Sequence, residues 1–448
     1  MTYGIDLSIG DDSEERAIAL YQYMTQRMHR LFQPMPQEVL ARQMVDKQRE
    51  DGDARMTHDY FGPNCTWVPK KFHQRLGMYR PLLLRILSEI VVADPSFDFQ
   101  VDCTGKLGHS PHMKMYAVMK CLCKGIAADS TDDYVCMGSP TVYMYVKRFT
   151  KVIVRHFGPR YMRIPTREDT KRLLAENAAR GFPGMLGSVD CMHFQWKNYP
   201  TAWAGMFRGH EKKPTIILEA VASYDRWFWH GFFGTPGSNN DLNVLAQSPL
   251  FDMMVNGLAA PCNYRINGHN YDKGYYLEDD IYPRLSCIVQ SFKILLPNQP
   301  ANTLFNRYQQ AKRKDVERDF GTLQNKFQIT KKPAIYWDKE DINFIIKDCL
   351  ILHNMVIENE KRNLDWGQVV NEPIRQVTGI PRSYHELRND EAYLQLRNYL
   401  VQHIWIRHGI GLRDGEMPPE SPPPPPDDLD GSDGEFDPTD VYPPEEQL

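Results

Sequence analysis

The sequence predicts an α/β protein in which a mixed five-stranded sheet and its flanking helices share one core, behind a helical amino-terminal region. Three observations predict it. After Gly181 come strand-like runs rich in β-branched and aromatic residues, MLGSVDCMHFQW, PTIILEAVAS and RWFWHGFFG, separated by polar loops. Two long stretches of helical period, FNRYQQAKRKDVERDFGTLQNKF and DINFIIKDCLILHNMVIENEK, close that section. Before Gly181 the apolar period is helical from Tyr79 onward.

Taken in order, residues 1–78 mix helical patches with polar loops and an aromatic stretch, YFGPNCTWVPKKF, in which no core can be placed. PLLLRILSEIV carries apolar residues on more than one stripe and predicts a buried helix. Within a helical region spanning 79–175, two segments each open with Ser-Pro, SPHMKMYAVMKCLCKGIAA and SPTVYMYVKRFTKVIVRHFG. A polar link joins them, and the second carries Lys147, Arg148, Lys151 and Arg155. That pattern suits a helix-turn-helix laying a basic helix on DNA; the plain alternative is a helical pair with a solvated basic face.

In the section 181–360, NNDLNVLAQSPLFDMMVNG reads as a helix with Asn or Asp near its N-cap, and KGYYLEDD and SFKILLP as the fourth and fifth strands. A helical extension over 361–413 follows. Residues 414–448 hold 12 Asp/Glu and no Lys/Arg among many prolines, a composition expected to stay disordered. With this tail set apart, the body carries a net charge of +8 against −12 for the tail, so the overall −4 conceals a basic body. No run of about 18 apolar residues predicts a membrane span. The opening MTYGIDLSIGDDSEER lacks a secretory pattern, and nine scattered cysteines read as reduced thiols, so an intracellular protein is expected.

Three acids stand out by context. Asp190 follows an apolar strand run, Asp279 ends Tyr275-Tyr276-Leu277, and Glu317 flanks the stripe Val316, Phe320, Leu323 and Phe327. Carboxylates so placed are costly unless paired or bound to a cation, and a hard divalent ion relieves their repulsion. Taken singly, each is more readily a loop cap or an ion-pair partner.

Together, GFPGMLGSVDCMHFQWKNYPTAWAGMF, PTIILEAVASYDRWFWHGFFGTPGSNNDLNVLAQSPLF, INGHNYDKGYYLEDDIYP and RKDVERDFGTLQNKF closely resemble the PIF/Harbinger transposases, in the branch called plant transposon proteins. The resemblance runs from about Arg75 to Glu360. It implies an RNase H-like fold and a DDE centre binding two divalent metal ions, Mg²⁺ or Mn²⁺. It further implies cut-and-paste transposition on double-stranded DNA at terminal inverted repeats and a target site, a nuclear location and a Myb/SANT-like partner protein; a second copy of the chain is a further candidate partner. The family's first acid falls at Asp190 in GSVDCMH and its third at Glu317 in DVER-FG. Its second falls at Asp279 in YYLEDDIYP, with Asp241 of PGSNND as competitor. The strand count favours Asp279, the fourth strand's acid, and leaves Asp241 a helix-capping or supporting residue. Glu278 and Asp280 stand where the family usually has Ala and Gly, and Asp319 where it usually has Ala.

His193 lies three residues past Asp190 and is expected on the opposite strand face, a hydrogen-bonded core histidine or a support to the acids. Cys121, Cys123 and Cys136 lack zinc spacing and read as buried thiols. Trp196, Trp203, Trp227 and Trp229 read as core. Lys197, Arg208, Lys212, Lys213, Arg313, Lys314 and Arg318 rim the acid-bearing segments, where cations can neutralise phosphates; for Arg313 an ion pair with Glu317 one turn on is the alternative. The function expected is a metal-dependent endonuclease and transposase. Its rival is a nuclear DNA- or protein-binding factor that kept the fold without the chemistry.

Overall fold

A computed structural model describes residues 13–31, 48–209, 212–279, 283–361 and 381–409. The chain divides into two units, Met1–Lys47 and Gln48–Leu448. The first holds helix α1, Ser13–Leu31. The expected disordered tail lies outside the described residues.

The second unit opens with α2 (Arg49–Met56), α3 (Pro69–Leu76), α4 (Arg80–Ala93), α5 (Pro111–Lys124) and α6 (Ser139–His156). Local chemistry sets their ends. Ser110 accepts the Met113 N–H at the start of α5, and Gly125, at φ +55°, stops it. Helix α4 buries Leu82, Leu83, Ile86, Leu87 and Ile90. The aromatic stretch in which sequence reading found no core is packed: Tyr60 and Phe72 are buried, and the Tyr60 ring meets those of Phe72 and Tyr116 edge-on at 6.0 and 5.0 Å. Helix α7 (Arg167–Ala179) opens with a capping box between Thr166 and Asp169.

The sheet follows: β1 (Met185–Gln195), β2 (Thr215–Ala222), β3 (Phe228–Pro236), β4 (Tyr264–Ile266), β5 (His269–Tyr271), β6 (Tyr275–Leu277) and β7 (Ile288–Val289). Five strands form the main sheet in the order β3-β2-β1-β6-β7, while β4 and β5 form a separate hairpin. The first three strands run antiparallel, and β6 is parallel to both β1 and β7. β2 is buried at all eight positions, as a central strand covered on both faces must be. Helices α8 (Asp241–Gln247), α9 (Pro300–Lys326), α10 (Lys339–Glu360) and α11 (Asp390–Ile404) complete the unit. One apolar cluster runs from Leu83, Val118 and Phe149 of the amino-terminal helices to Val189, Leu218 and Phe228 of the sheet.

The expected mixed five-stranded sheet is present, with local corrections. The helix expected across NNDLNVLAQSPLFDMMVNG breaks at Ser248, because Pro249 disfavours helical backbone in the residue before it. The fifth strand is Ile288–Val289, not SFKILLP. The side chain of Asn306 on α9 donates to the Phe292 carbonyl at 2.8 Å and accepts its N–H at 2.7 Å, which takes that backbone out of strand pairing. Helices α5 and α6 occupy the segments expected for a helix-turn-helix, but α6 packs along α10, where Lys147 and Lys151 reach Asp341 at 2.7 and 3.5 Å, and Arg148 reaches Asp94 at 3.7 Å. Of the four cations, Arg155 is exposed and has no such pair among the described residues.

Two polar devices lock helices to sheet. Asn354 on α10 accepts the Phe228 N–H at 3.0 Å and donates to the carbonyls of Phe228 and Tyr161, each at 2.8 Å. Arg180 after α7 reaches buried Asp315 on α9 at 2.5 Å and lies 3.9 Å over the Tyr224 ring. Arg180→Met leaves Asp315 buried without this partner, and chemical denaturation should show a loss of about 3–5 kcal/mol. Asp348 on α10 is fully buried, neither carboxyl oxygen has a hydrogen-bond partner, and burial pushes its pKa well above the usual range. The folded group therefore stays protonated, while the unfolded one ionises freely above pH ~4, so stability falls by about 1.4 kcal/mol per pH unit as pH rises from there. Asp348→Asn removes this drain, and melts at pH 7.5 should show a higher midpoint than the parent, with the gain shrinking near pH 4.

Candidate active site

The acids singled out in the sequence come from three elements. β1 and β6 pair in parallel with Ser188 opposite Leu277. The pairing ends at Leu277, so Asp190 lies on β1 and Asp279 two residues beyond the end of β6. Helix α9 lies over the face that carries Asp190. Ser188 donates to the Lys312 carbonyl at 3.1 Å, which holds the next turn, Arg313 to Glu317, above Asp190.

Arg313 is the hub. Its guanidinium lies 2.8 Å from Glu317 and 3.8 Å from Asp190, so the one-turn ion pair exists and also bridges to the strand acid. Asp190 is mostly buried and accepts the N–H of Cys191 at 2.9 Å. Burial pushes its pKa up to about 6; the Cys191 N–H and Arg313 oppose the rise, and Glu317 and Asp241 add to it. Glu317 is part-exposed at the mouth. Asp279 is half-buried, and its backbone carbonyl accepts from Gln290 at 3.2 Å.

A second set of acids lies close by. Cys191 of β1 pairs with Glu219 of β2, which turns Glu219 to the face opposite Asp190. Glu278 is the first residue past β6, and Asp280 lies outside the described residues. Glu278 is fully buried with both oxygens unpartnered; burial raises its pKa well above the ordinary value, reinforced by Glu219, Asp190 and Asp241. Burial likewise lifts Glu219 to about 7, with Ser248 opposing and Asp241 assisting, although neither Glu219 oxygen meets a donor in hydrogen-bonding geometry. Asp241 joins the two sets. Its pKa is raised by burial and by Asp279, and held down by the Cys191 side chain and His193. It does not cap α8: Asn240 is the cap, accepting the Asn243 N–H at 3.0 Å, and Asp241 is the first helical residue.

Other expectations sort as follows. His193 is hydrogen-bonded, to Thr215 at 2.9 Å, but is exposed, not a core residue. Trp196, Trp227 and Trp229 are buried, whereas Trp203 is 42% exposed. Cys121 and Cys123 are buried thiols, and all nine cysteines are free. Lys212, Lys213 and Lys314 are exposed, while Arg318 is committed to the Tyr224 carbonyl at 3.1 Å and to Asp315. Sequence reading passed over Glu219, although a lone charge within ILEAVA was the available signal. Among the described residues, no group of three or more His, Cys, Asp or Glu side chains converges as it stands closely enough to hold a metal ion.

A family model described as plant transposon protein matches residues 159–364. A protein named "Putative nuclease HARBI1" from Bos taurus is 23% identical over 272 residues, 60% of this chain and 72% of that protein. The human protein of that name is 22% identical over the same length, again 60% and 72%. "Protein ALP1-like" from Arabidopsis thaliana is 26% identical over 194 residues, 41% of this chain and 46% of that protein. No solved structure matches. The matched segment spans the whole main sheet and carries Asp190, Asp241, Asp279 and Glu317, and over it the chain is similar to plant transposon proteins.

Proposed function

We propose that this chain is a metal-dependent DNA endonuclease and transposase of the DDE kind, built on an RNase H-like sheet. One observation carries the reading. In the strand order β3-β2-β1-β6-β7, one acid lies on β1, another just past the neighbouring β6, and Arg313 joins the β1 acid to Glu317 of α9, which supports the reading.

Asp190, Asp279 and Glu317 are the residues that would hold the divalent ions, Mg²⁺ or Mn²⁺, and their oxygens suit hard cations. Asp190 is a buried carboxylate with acidic neighbours, a group that gains from added positive charge, and Arg313 already supplies one across Asp190 and Glu317. Bound there, the ions supply activation of a water or 3′-hydroxyl and charge neutralisation at the leaving oxygen. The protein's own part is placement. Arg313 orients Glu317 and Asp190 and offers its guanidinium to a non-bridging phosphate oxygen, while Lys212, Lys213 and Lys314 meet the flanking backbone. Asp241, coupled to both Asp190 and Asp279, supports the acids rather than replacing one. The reaction is hydrolysis at terminal inverted repeats followed by attack of the freed 3′-hydroxyl on a target site. A nuclear location and a Myb/SANT-like partner belong to the same proposal.

A second reading has one observation in its favour. Arg313 closes the acids with a fixed cation, an arrangement that a non-catalytic DNA- or protein-binding factor would also retain.

Mg²⁺-dependent nicking of DNA bearing the matching terminal repeats decides between them. Asp190→Asn and Asp279→Asn should reduce nicking to background with repeat binding kept. Asp241→Asn should cost about 10- to 100-fold, the range for a residue that supports a ligand. Equal binding with no nicking by parent or variant supports the binding factor, and background activity in Asp241→Asn with retention in Asp279→Asn moves the second acid to 241.

A further inference from the structure

Just past the end of β1 the chain builds a surface that neither the triad nor the core uses. Trp196 is buried and donates its indole N–H to the Tyr336 carbonyl at 2.9 Å, while its backbone bridges to Ala334. It thereby joins the 196–208 connection to the 334–337 loop, and Asn198 adds a bond to the Ile335 carbonyl at 2.6 Å.

Each joined segment presents one indole to solvent. Trp203 is 42% exposed and Trp337 is 67% exposed, and they are the two exposed tryptophans among the described residues. Trp203 is not loose. Phe207 stacks on it at 5.9 Å and 18°, and Trp196 meets it edge-on at 6.1 Å, so the ring is held with its remaining surface outward. The segments that carry the indoles also carry exposed cations, Lys197, Arg208, Lys213 and Lys331, against the acids Glu211 within the first segment and Asp338 after Trp337.

We infer that this is a stacking platform for unpaired bases of a DNA strand, an inference that rests on the nucleic-acid reading above. Solvent-facing indoles interleaved with cations are what a single strand requires: aromatic faces for the bases and positive charge for the phosphates. A paired duplex hides its base faces and has no use for the rings, while the charge complements any polyanion. The position fits the site. Six residues of extended strand separate Asp190 from Trp196, roughly 20 Å. At about 3.4 Å per nucleotide along a strand, the platform lies within about six nucleotides of the phosphate at Asp190. A bound end could therefore be frayed and held open next to the cut.

The test uses the full chain in EDTA, so that binding is read without cleavage, with two DNAs. One is a single-stranded oligonucleotide of about 20 nucleotides carrying 2-aminopurine, and the other is the blunt duplex of the same sequence. Binding of the single strand should quench 2-aminopurine emission beyond that of the free oligonucleotide. Trp203→Ala with Trp337→Ala should weaken single-strand binding by about tenfold or more and abolish the added quench. Duplex affinity should change less than about twofold, and Trp203→Phe with Trp337→Phe should keep most of the single-strand affinity. Lys197→Ala with Lys331→Ala should lower the slope of log affinity against log salt by about 1.4 for the single strand. Parent-like single-strand affinity in the double alanine variant overturns the platform while leaving the nuclease reading intact, and is the result expected if the patch docks a protein instead. Failure of the parent chain to bind either DNA overturns the nucleic-acid reading itself, and the platform with it.

Discussion

The site depends on the register of α9 against β1. A helix advances about 5.4 Å per turn, so a slip of one turn would carry Arg313 and Glu317 out of reach of Asp190. Three polar contacts oppose that slip: Ser188 to the Lys312 carbonyl, Arg180 to Asp315, and Arg318 to the Tyr224 carbonyl. Beneath them Val316, Phe320 and Leu323 are buried in the shared core. Hydrophobic burial alone would tolerate sliding along a stripe, since one turn later another apolar residue occupies the same groove. Directional bonds to β1 and to the segments flanking the sheet remove that freedom, and the ion pair to Asp315 penalises its loss because the acid is buried.

The same region concentrates negative charge to an unusual degree. Asp190, Glu219, Asp241 and Glu278 all have pKa values raised by burial, and each is raised further by another of the acids around this site. The sheet separates two of them by face. Asp190 meets the Arg313 guanidinium of α9, whereas Glu219, paired with Cys191, turns to the opposite face and has no described salt-bridge partner. Burial without a cation favours the neutral carboxyl there.

Much of this was legible in the sequence, and the failures have physical causes. The first three strands and the two long helices were readable because each has a strong period or β-branched density over eight residues or more. The acids were readable because a charge inside an apolar run is conspicuous, yet Glu219 in ILEAVA escaped for want of a partner motif. The short strand Ile288–Val289 and the hairpin of β4 and β5 are too brief for a period to register, and tertiary contacts define both. SFKILLP looked like a strand by composition, but Ile294 and Leu296 end up 78% and 51% exposed, since Asn306 has taken the backbone of Phe292. Aromatic residues misled in both directions. Tyr60 and Phe72 build a core where none was expected, and Trp203 leaves one where it was.

The fate of the basic helix α6 bears on where a nucleic acid would run. Its cations were expected to face DNA, but Lys147 and Lys151 share Asp341 of α10, and Arg148 pairs with Asp94. Each pair is part-exposed, so a phosphate could compete for the lysines only by leaving Asp341, itself 7% exposed, without its counter-charges. That cost favours a path elsewhere. Lys212 and Lys213 lie beyond β1, Lys314 lies beside the Arg313 hub, and Lys197 and Lys331 border the exposed indoles; none of these five has an ion pair among the described salt bridges. On electrostatic grounds the free positive charge therefore tracks β1 from Asp190 to its far end, and a strand following it meets the acids and the tryptophans in turn.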